Sequence, residues 1–282
     1  MNIAKTDIPP LILFLIISFI TLIAFVMVAP LLFSIDLGAT HLLNRLLPPS
    51  FMEKGRPEFF LGTDHLGRDF AVRLLYATRN SVVIAFSGMA IATTIGTLMG
   101  VLGGLYRGWV DTVVMFLVDA RLSIPFIIIG IVCASIFGSD KITMIAIIGF
   151  AGWASFARLV RSQIIQLKEA NFIECSRSLG ASNMRILFEH IFPNISSPLI
   201  VHATMRLSSF ILLESSMSFL GLGIQPPDIS LGIMVSAGRD YLISSWWLTL
   251  VPSFVIVCIV LQVSLIGDWL RDKLDPKLQN NS

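Results

Sequence analysis

Six long apolar runs dominate this chain and limit what it can fold into. A membrane-spanning helix needs about 20 mainly apolar residues. Six segments meet or approach that length: Pro9 to Phe33, Ser81 to Leu105, Ala120 to Phe137, Ile142 to Ala157, Pro198 to Leu222 and Trp246 to Ile266. The fourth is short, so tilt or neighbouring protein has to absorb the mismatch. Hydrophobic residues fill 55% of the 282 positions and charged residues only 13%, about half the charged share of a soluble domain. A bilayer can accommodate that much apolar surface. The sequence therefore predicts an all-α membrane protein with six transmembrane helices. The first run exceeds the roughly 7–15 residues of a signal-peptide core, and no small-residue cleavage site follows it, so it reads as a retained helix. Trp246, Trp247 and Trp269 flank the last run in the manner of interfacial anchors.

Several function classes drop out. The net charge of +2 and the absence of a basic run argue against a nucleic-acid partner. Cys133 and Cys258 lie in apolar runs and Cys175 in a polar loop, which gives no disulfide framework. His41, His65, His190 and His202 form no i, i+4 pair and join no Cys/His cluster, so no metal site is expected. No Gly-x-Ser-x-Gly elbow is present, and no paired catalytic constellation of an intramembrane enzyme is visible. No internal repeat appears, although secondary transporters usually carry one.

The loops divide the chain into residues 1–80, a first helix with a long loop, and residues 81–282, a core of five helices with a central loop at 158–197. Loop two, Tyr106 to Asp119, reads as an amphipathic surface segment. Loop four, Gly221 to Ser245, is rich in Gly and Pro. With the N-terminus inside, ten Lys/Arg fall inside and eight outside, and loop one holds six of those eight. Short loops set orientation, so both termini are expected in the cytoplasm and loop one outside.

Loop three carries the sharpest local signal. Asn171 and Glu174 have the spacing of a reciprocal N-terminal cap. Gly180 suits the left-handed residue that ends a helix. Ser182 can cap a second short helix, which Pro193 is expected to stop. The first helix would present Phe172, Ile173 and Leu179. Apolar residues in an aqueous loop point either to a partner surface or to a helix packed back on its own bundle, and the pattern leaves both open.

Glu174-Cys-Ser-Arg-Ser-Leu-Gly180, then nine residues, then His190-Ile-Phe-Pro193 resembles the cytoplasmic motif of ABC importer permeases. That motif is Glu-Ala-Ala, three residues, Gly, nine residues, Ile-x-Leu-Pro. Cys175 and Ser176 stand for its alanines, and His190 and Phe192 for its Ile and Leu. The run Gly180 to Asn194 is similar to the oligopeptide, dipeptide and nickel permeases. Gly62-Thr-Asp-His-Leu-Gly-Arg-Asp69 resembles the outer-loop motif of the second permease of each such pair. Ser218-Phe-Leu-Gly-Leu-Gly-Ile-Gln-Pro-Pro227, with Gly232 and Gly238-Arg239, resembles the family's fifth loop.

The resemblance implies a type I importer permease fold in the cytoplasmic membrane. Phe172, Ile173, Glu174, Cys175, Ser176, Arg177 and Gly180 would form a coupling helix that docks on a separate ATPase subunit. The implied partners are a second homologous permease, two ATPase subunits and an extracytoplasmic solute-binding protein. The implied cargo is a small peptide, a peptide-like solute or a metal chelate. ATP and magnesium would belong to the partners, because the chain has no Gly-x4-Gly-Lys-[Ser/Thr] and no cofactor of its own is expected. In the outer-loop motif, Gly62 and Gly67 read as turn glycines, Asp64 as a local hydrogen-bond acceptor, and Arg68 and Asp69 as further motif residues. Asp119 and Arg121 border the third run and are expected at the interface, paired or snorkelling. Arg206 and Glu214, about 80° apart around one helix, either line a pore or serve a structural ion pair or a partner on another helix. The competing reading is a secondary transporter or channel working without ATPases.

Overall fold

A computed structural model of the chain describes residues 8–32 and 40–274. The described residues are almost wholly helical, in the order α1 (Pro10–Leu32), α2 (Phe70–Leu105), α3 (Trp109–Ser123), α4 (Phe126–Phe137), α5 (Lys141–Lys168), α6 (Asn171–Ser178), α7 (Asn183–Ile186), α8 (Phe192–Phe219), α9 (Leu231–Gly238) and α10 (Trp247–Leu274). A π-helical segment, Leu187–Ile191, joins α7 to α8. Among the described residues, five helical stretches are long and apolar enough to cross a membrane, and six are if α3 and α4 together make one span. The expected six-span all-α class therefore holds. The end of the first apolar run and both termini lie outside the described residues.

The boundaries depart from expectation where helices outrun their apolar runs. The fourth run is not short: α5 has 28 residues and carries Arg158, Arg161 and Lys168 on the same helix. Much of the expected loop three is therefore helix. The third run is not one straight span, because α3 and α4 meet at 89° across Ile124-Pro125. Pro125 lacks an N–H and pushes Ile124 to extended geometry (φ −92°, ψ 122°). Loop two is mostly α3, tied to α5 by Arg158–Asp119 at 2.7 Å and by the two-pronged Arg161–Asp111 pair. Asp119 is thus paired, as expected. Pro193 does not stop its helix either, since α8 runs through both Pro193 and Pro198. Trp247, expected as an interfacial anchor, is buried.

By packing, the chain forms two units, Met1–Val83 with Ile211–Trp269 and Ile84–Phe210 with Leu270–Ser282. In the second unit α2 meets α5 along a seam of small residues at every fourth position: Gly88, Ala92, Gly96, Gly100 and Gly104. A Cβ on Gly96 would sit 2.4 Å from Phe156 Cβ and 2.5 Å from the Trp153 carbonyl oxygen. A Cβ on Gly100 would lie 2.7 Å from the Ala157 carbonyl oxygen. Such close backbone approach is how helices associate where lipid removes the hydrophobic driving force. Lys168 closes the seam by donating to the carbonyls of Gly104 and Leu105 at 3.3 and 3.0 Å, the favoured place for a cation at a helix C-terminus.

In the first unit, the α1 residues Val26 and Ala29 are buried, while Phe14, Ile17, Ile20 and Phe25 are exposed. Gln262 of α10 donates to Ser18 of α1 at 3.1 Å. Loop four is not merely a Gly/Pro connection, because it contains α9, whose Leu231, Gly232 and Met234 are buried.

Candidate functional site

Three places gather the residues singled out in the sequence. The first is α6 with its flanks. The helix begins after Ala170, whose carbonyl accepts from the amides of Ile173 and Glu174 at 3.0 and 3.4 Å. Asn171 is therefore inside the first turn, and the expected Asn171–Glu174 cap does not form. Because α5 ends at Lys168, only Glu169 and Ala170 separate the two helices, too few to leave Asn171 outside. The C-terminal expectation holds. Gly180 has φ +84°, and the Ala181 amide donates to the Ser176 carbonyl at 3.1 Å, as in a Schellman stop. Ser182 caps α7 by accepting from the Arg185 amide at 3.3 Å.

Of the two readings of α6, packing on the chain's own bundle holds for its inner face. Ile173 is 1% exposed and joins Val160, Ile164, Ile186, Leu187, Ile191 and Ile195 in one buried cluster. That face packs on the chain's own helices. Phe172 is 47% and Leu179 89% exposed, and Glu174 and Cys175 are also exposed. The apolar side chains of Phe172 and Leu179 are left uncovered on the outward face. Ser176 is half-buried and in hydrogen-bond contact with His190 at 3.2 Å. The Arg177 side chain lies outside the described residues.

The second place is the motif of loop one, which folds into a compact knot. Asp64 is 5% exposed. Its Oδ1 accepts from the amides of Leu66 (2.8 Å) and Arg68 (3.0 Å), and its Oδ2 from Arg68 Nε (2.7 Å) and Arg73 Nε (3.2 Å). Asp69 Oδ1 accepts from the Ala71 and Val72 amides and so caps α2. Gly62 and Gly67 have φ +78° and +76°. A Cβ on Gly67 would lie 1.9 Å from the His41 carbonyl oxygen. Burial holds the His65 imidazole below its usual pKa, with the neighbouring Asp64 opposing and Arg68, Arg73 and Arg45 assisting. The His65 ring stacks on Tyr241 at 5.9 Å. A cavity of about 550 Å³ opens beside the knot, between Arg68, Arg73, Asp228 and Met234.

Asp64 is thus the hub of loop one. We expect Asp64→Ala to destabilise this region by about 3–5 kcal/mol, because it removes the carboxylate from two largely buried guanidinium groups. Limited proteolysis should then cut between residues 40 and 69. Protease resistance equal to the parent would show that Asp64 is not the hub.

The third place decides between the two readings of Glu214. Glu214 has no accessible surface, so its side chain does not line a pore in this geometry. Ser218 donates to its Oε1 at 2.7 Å and Ser215 to its Oε2 at 3.4 Å, and the hydroxyls of Ser81 and Ser230 lie beside it. Ser81 also accepts from the Leu231 amide at 3.1 Å, and Asn80 Nδ2 donates to the Ile229 carbonyl at 2.8 Å. These contacts tie α2, α8 and the start of α9 together. Arg206 is exposed on α8. Sequence reasoning missed a second cavity of about 720 Å³, lined by Gln163, Gln166, Asn194, Ser197, His202 and Arg271. Its polar residues are scattered over three helices, so no local motif marks it.

Residues 92–280 match the family described as binding-protein-dependent transport system inner membrane component. The di/tripeptide transport system permease protein of Pseudomonas aeruginosa is 37% identical over 235 residues, 83% of this chain and 78% of that protein. The dipeptide transport system permease protein of Haemophilus influenzae is 37% identical over 262 residues, 93% of this chain and 89% of its own length. Among solved structures, the inward-facing MetNI methionine ABC transporter aligns with a TM-score of 0.59 at 21% identity, covering 73% of this chain and 97% of that one. An amino acid ABC transporter solved with histidines gives a TM-score of 0.58 at 10% identity, covering 72% and 95%. Both structural likenesses concern the fold alone.

Proposed function

We propose a function from the premise that the chain belongs to the family of binding-protein-dependent transport system inner membrane components: it is the membrane-embedded permease subunit of an ATP-binding-cassette importer that carries di- or tripeptides into the cell. The peptide cargo is supported by the di- and tripeptide transport of relatives that align over most of the chain. The ATP dependence is supported by α6, whose inner face is anchored through Ile173 while Phe172, Glu174 and Leu179 point outward.

In this reading the outward face of α6 docks on an ATPase subunit in the cytoplasm. ATP and magnesium bind to that partner. A second permease completes the pore, and an extracytoplasmic binding protein delivers the peptide. Two ATPase subunits act per complex. Closure of the ATPases displaces α6, and the buried Ile173 cluster carries that displacement into α5 and α8. The single carrying observation is this two-faced helix, stopped by Gly180 at φ +84°.

Two experiments test the reading. A cysteine placed at Ser182 should resist impermeant thiol reagents in intact cells and react after permeabilisation. Ready labelling in intact cells would put loop three outside and remove the ATPase docking site. Uptake of a labelled dipeptide by the assembled complex should be competed by other di- and tripeptides and not by free amino acids or nickel. Competition by nickel alone would reassign the cargo.

A further inference from the structure

The helix that leaves α7 is loosened at one place. Across Leu187–Ile191 it adopts π geometry, and the Phe192 amide reaches back five residues to the Leu187 carbonyl. Pro193 follows directly and has no N–H to give. One residue later, Asn194 Nδ2 donates to the His190 carbonyl at 2.6 Å. A π turn, a proline and a side chain bonded into the ladder thus fall within eight consecutive residues. Such turns hold one residue more than a regular helix, recur at functional sites and, like proline, are places where helices kink.

The same turn is gripped by α6. Leu187 and Ile191 are buried in one cluster with Ile173 of α6 and with Val160 and Ile164 of α5. His190 faces α6: its Nε2 lies 3.2 Å from Ser176 Oγ, and its ring meets that of Phe172 edge-on at 6.2 Å. Around this contact, the charged groups of α7 and the π turn, Arg185 and Glu189, pair with each other at 3.1 Å on the exposed side. His190 is therefore the polar link from α6 to the loosened turn.

We infer that the π turn at 187–191 is the joint through which displacement of α6 is passed into α8, and that His190 is the positioning residue that locks the two together through Ser176 and Phe172. The inference rests on the proposed reading as an importer subunit. Apolar contact through Ile173 alone would let α6 slide along the cluster. The His190–Ser176 hydrogen bond fixes its direction.

The test uses the whole complex, with second permease, ATPases and binding protein, in proteoliposomes, and reads labelled dipeptide taken up per ATP hydrolysed. Deleting Glu189 removes the extra residue of the π turn while α7 and α8 keep their phase. His190→Leu should lower the ratio about fivefold, the scale set by losing one hydrogen bond, and the deletion should lower it at least as far. His190→Gln, which retains a hydrogen-bonding group, should recover part of it. The double variant Ser176→Ala/His190→Leu should be no worse than His190→Leu alone, because both remove one link. Co-purification of the ATPases with each variant checks assembly. An unchanged ratio in the deletion and in His190→Leu overturns the inference, and so does an equal fall of uptake and hydrolysis. Dipeptide uptake by the parent complex without ATP would instead overturn the functional reading.

Discussion

Gly180→Val should reach the membrane at near-normal levels and lose most dipeptide uptake. No atom outside its chain neighbours lies within 4 Å of where a Cβ on Gly180 would sit. Valine would therefore strike nothing, and the cost comes only from the backbone angle of φ +84°. A left-handed conformation costs an L-residue about 1–2 kcal/mol, towards the upper end when the side chain is β-branched. That is too little to unfold a bundle of this size. It is enough to depopulate the correctly stopped α6 by about 5–30-fold. ATP hydrolysis by the complex should persist but respond poorly to cargo-loaded binding protein. Gly180→Ala should be milder, because alanine lacks the branch. Uptake near the parent level in Gly180→Val would mean that the exit angle of α6 is irrelevant to transport.

Gly96→Val should act on the other side of the account, on the bundle itself. Its Cβ would be placed 2.4 Å from Phe156 Cβ and 2.5 Å from a backbone oxygen of α5. Backbone cannot rotate aside as a side chain can, so α2 and α5 must separate. Overpacking of a fitted core costs about 1–3 kcal/mol and more where backbone has to move. Separation would also break the neighbouring contacts of Gly100 and Gly104. The expected result is a sharp fall in detergent-stable protein and in thermal midpoint. Leu98→Val, at an exposed position of the same helix, should leave both nearly unchanged. Equal stability of Gly96→Val and the parent would refute the close seam.

These two glycines also show what the sequence makes legible. Gly180 stands where a capped helix must turn, so its left-handed angle could be read from local pattern alone. The seam was equally present as a four-residue period of small residues, but an apolar run counted only for length conceals which face is small. Pro125 was likewise visible. The length of the apolar run 120–137 conceals its effect, an 89° bend where Ile124 is held in extended geometry. Pro193 misled in the opposite direction. It lies inside the continuous helical stretch Asn183–Phe219, where the π turn just before it supplies the slack that its missing N–H requires.

Other features depend on partners far away in the chain. The Ser81 and Ser230 hydroxyls lie beside Glu214, from positions more than 100 residues upstream and 16 downstream. Spacing within α8 left both a pore position and a structural partner on another helix open, and could not name the serines that surround Glu214. Asp64 was legible because its partners, Leu66, Arg68 and Arg73, are near neighbours in sequence. Local chemistry could thus be read directly, and chemistry assembled by packing could not.

The central claim is that this chain moves peptides only as part of an ATP-driven complex. The direct measurement is labelled dipeptide uptake into proteoliposomes containing the chain alone, the chain with its second permease, and the full assembly with ATPases and binding protein. The purified chain should neither hydrolyse ATP nor accumulate dipeptide under a proton or sodium gradient. Uptake should appear only in the full assembly, should require both ATP and binding protein, and should stop when the ATPases are left out. Gradient-driven accumulation by the chain without ATPases would contradict the account and make the protein a secondary transporter.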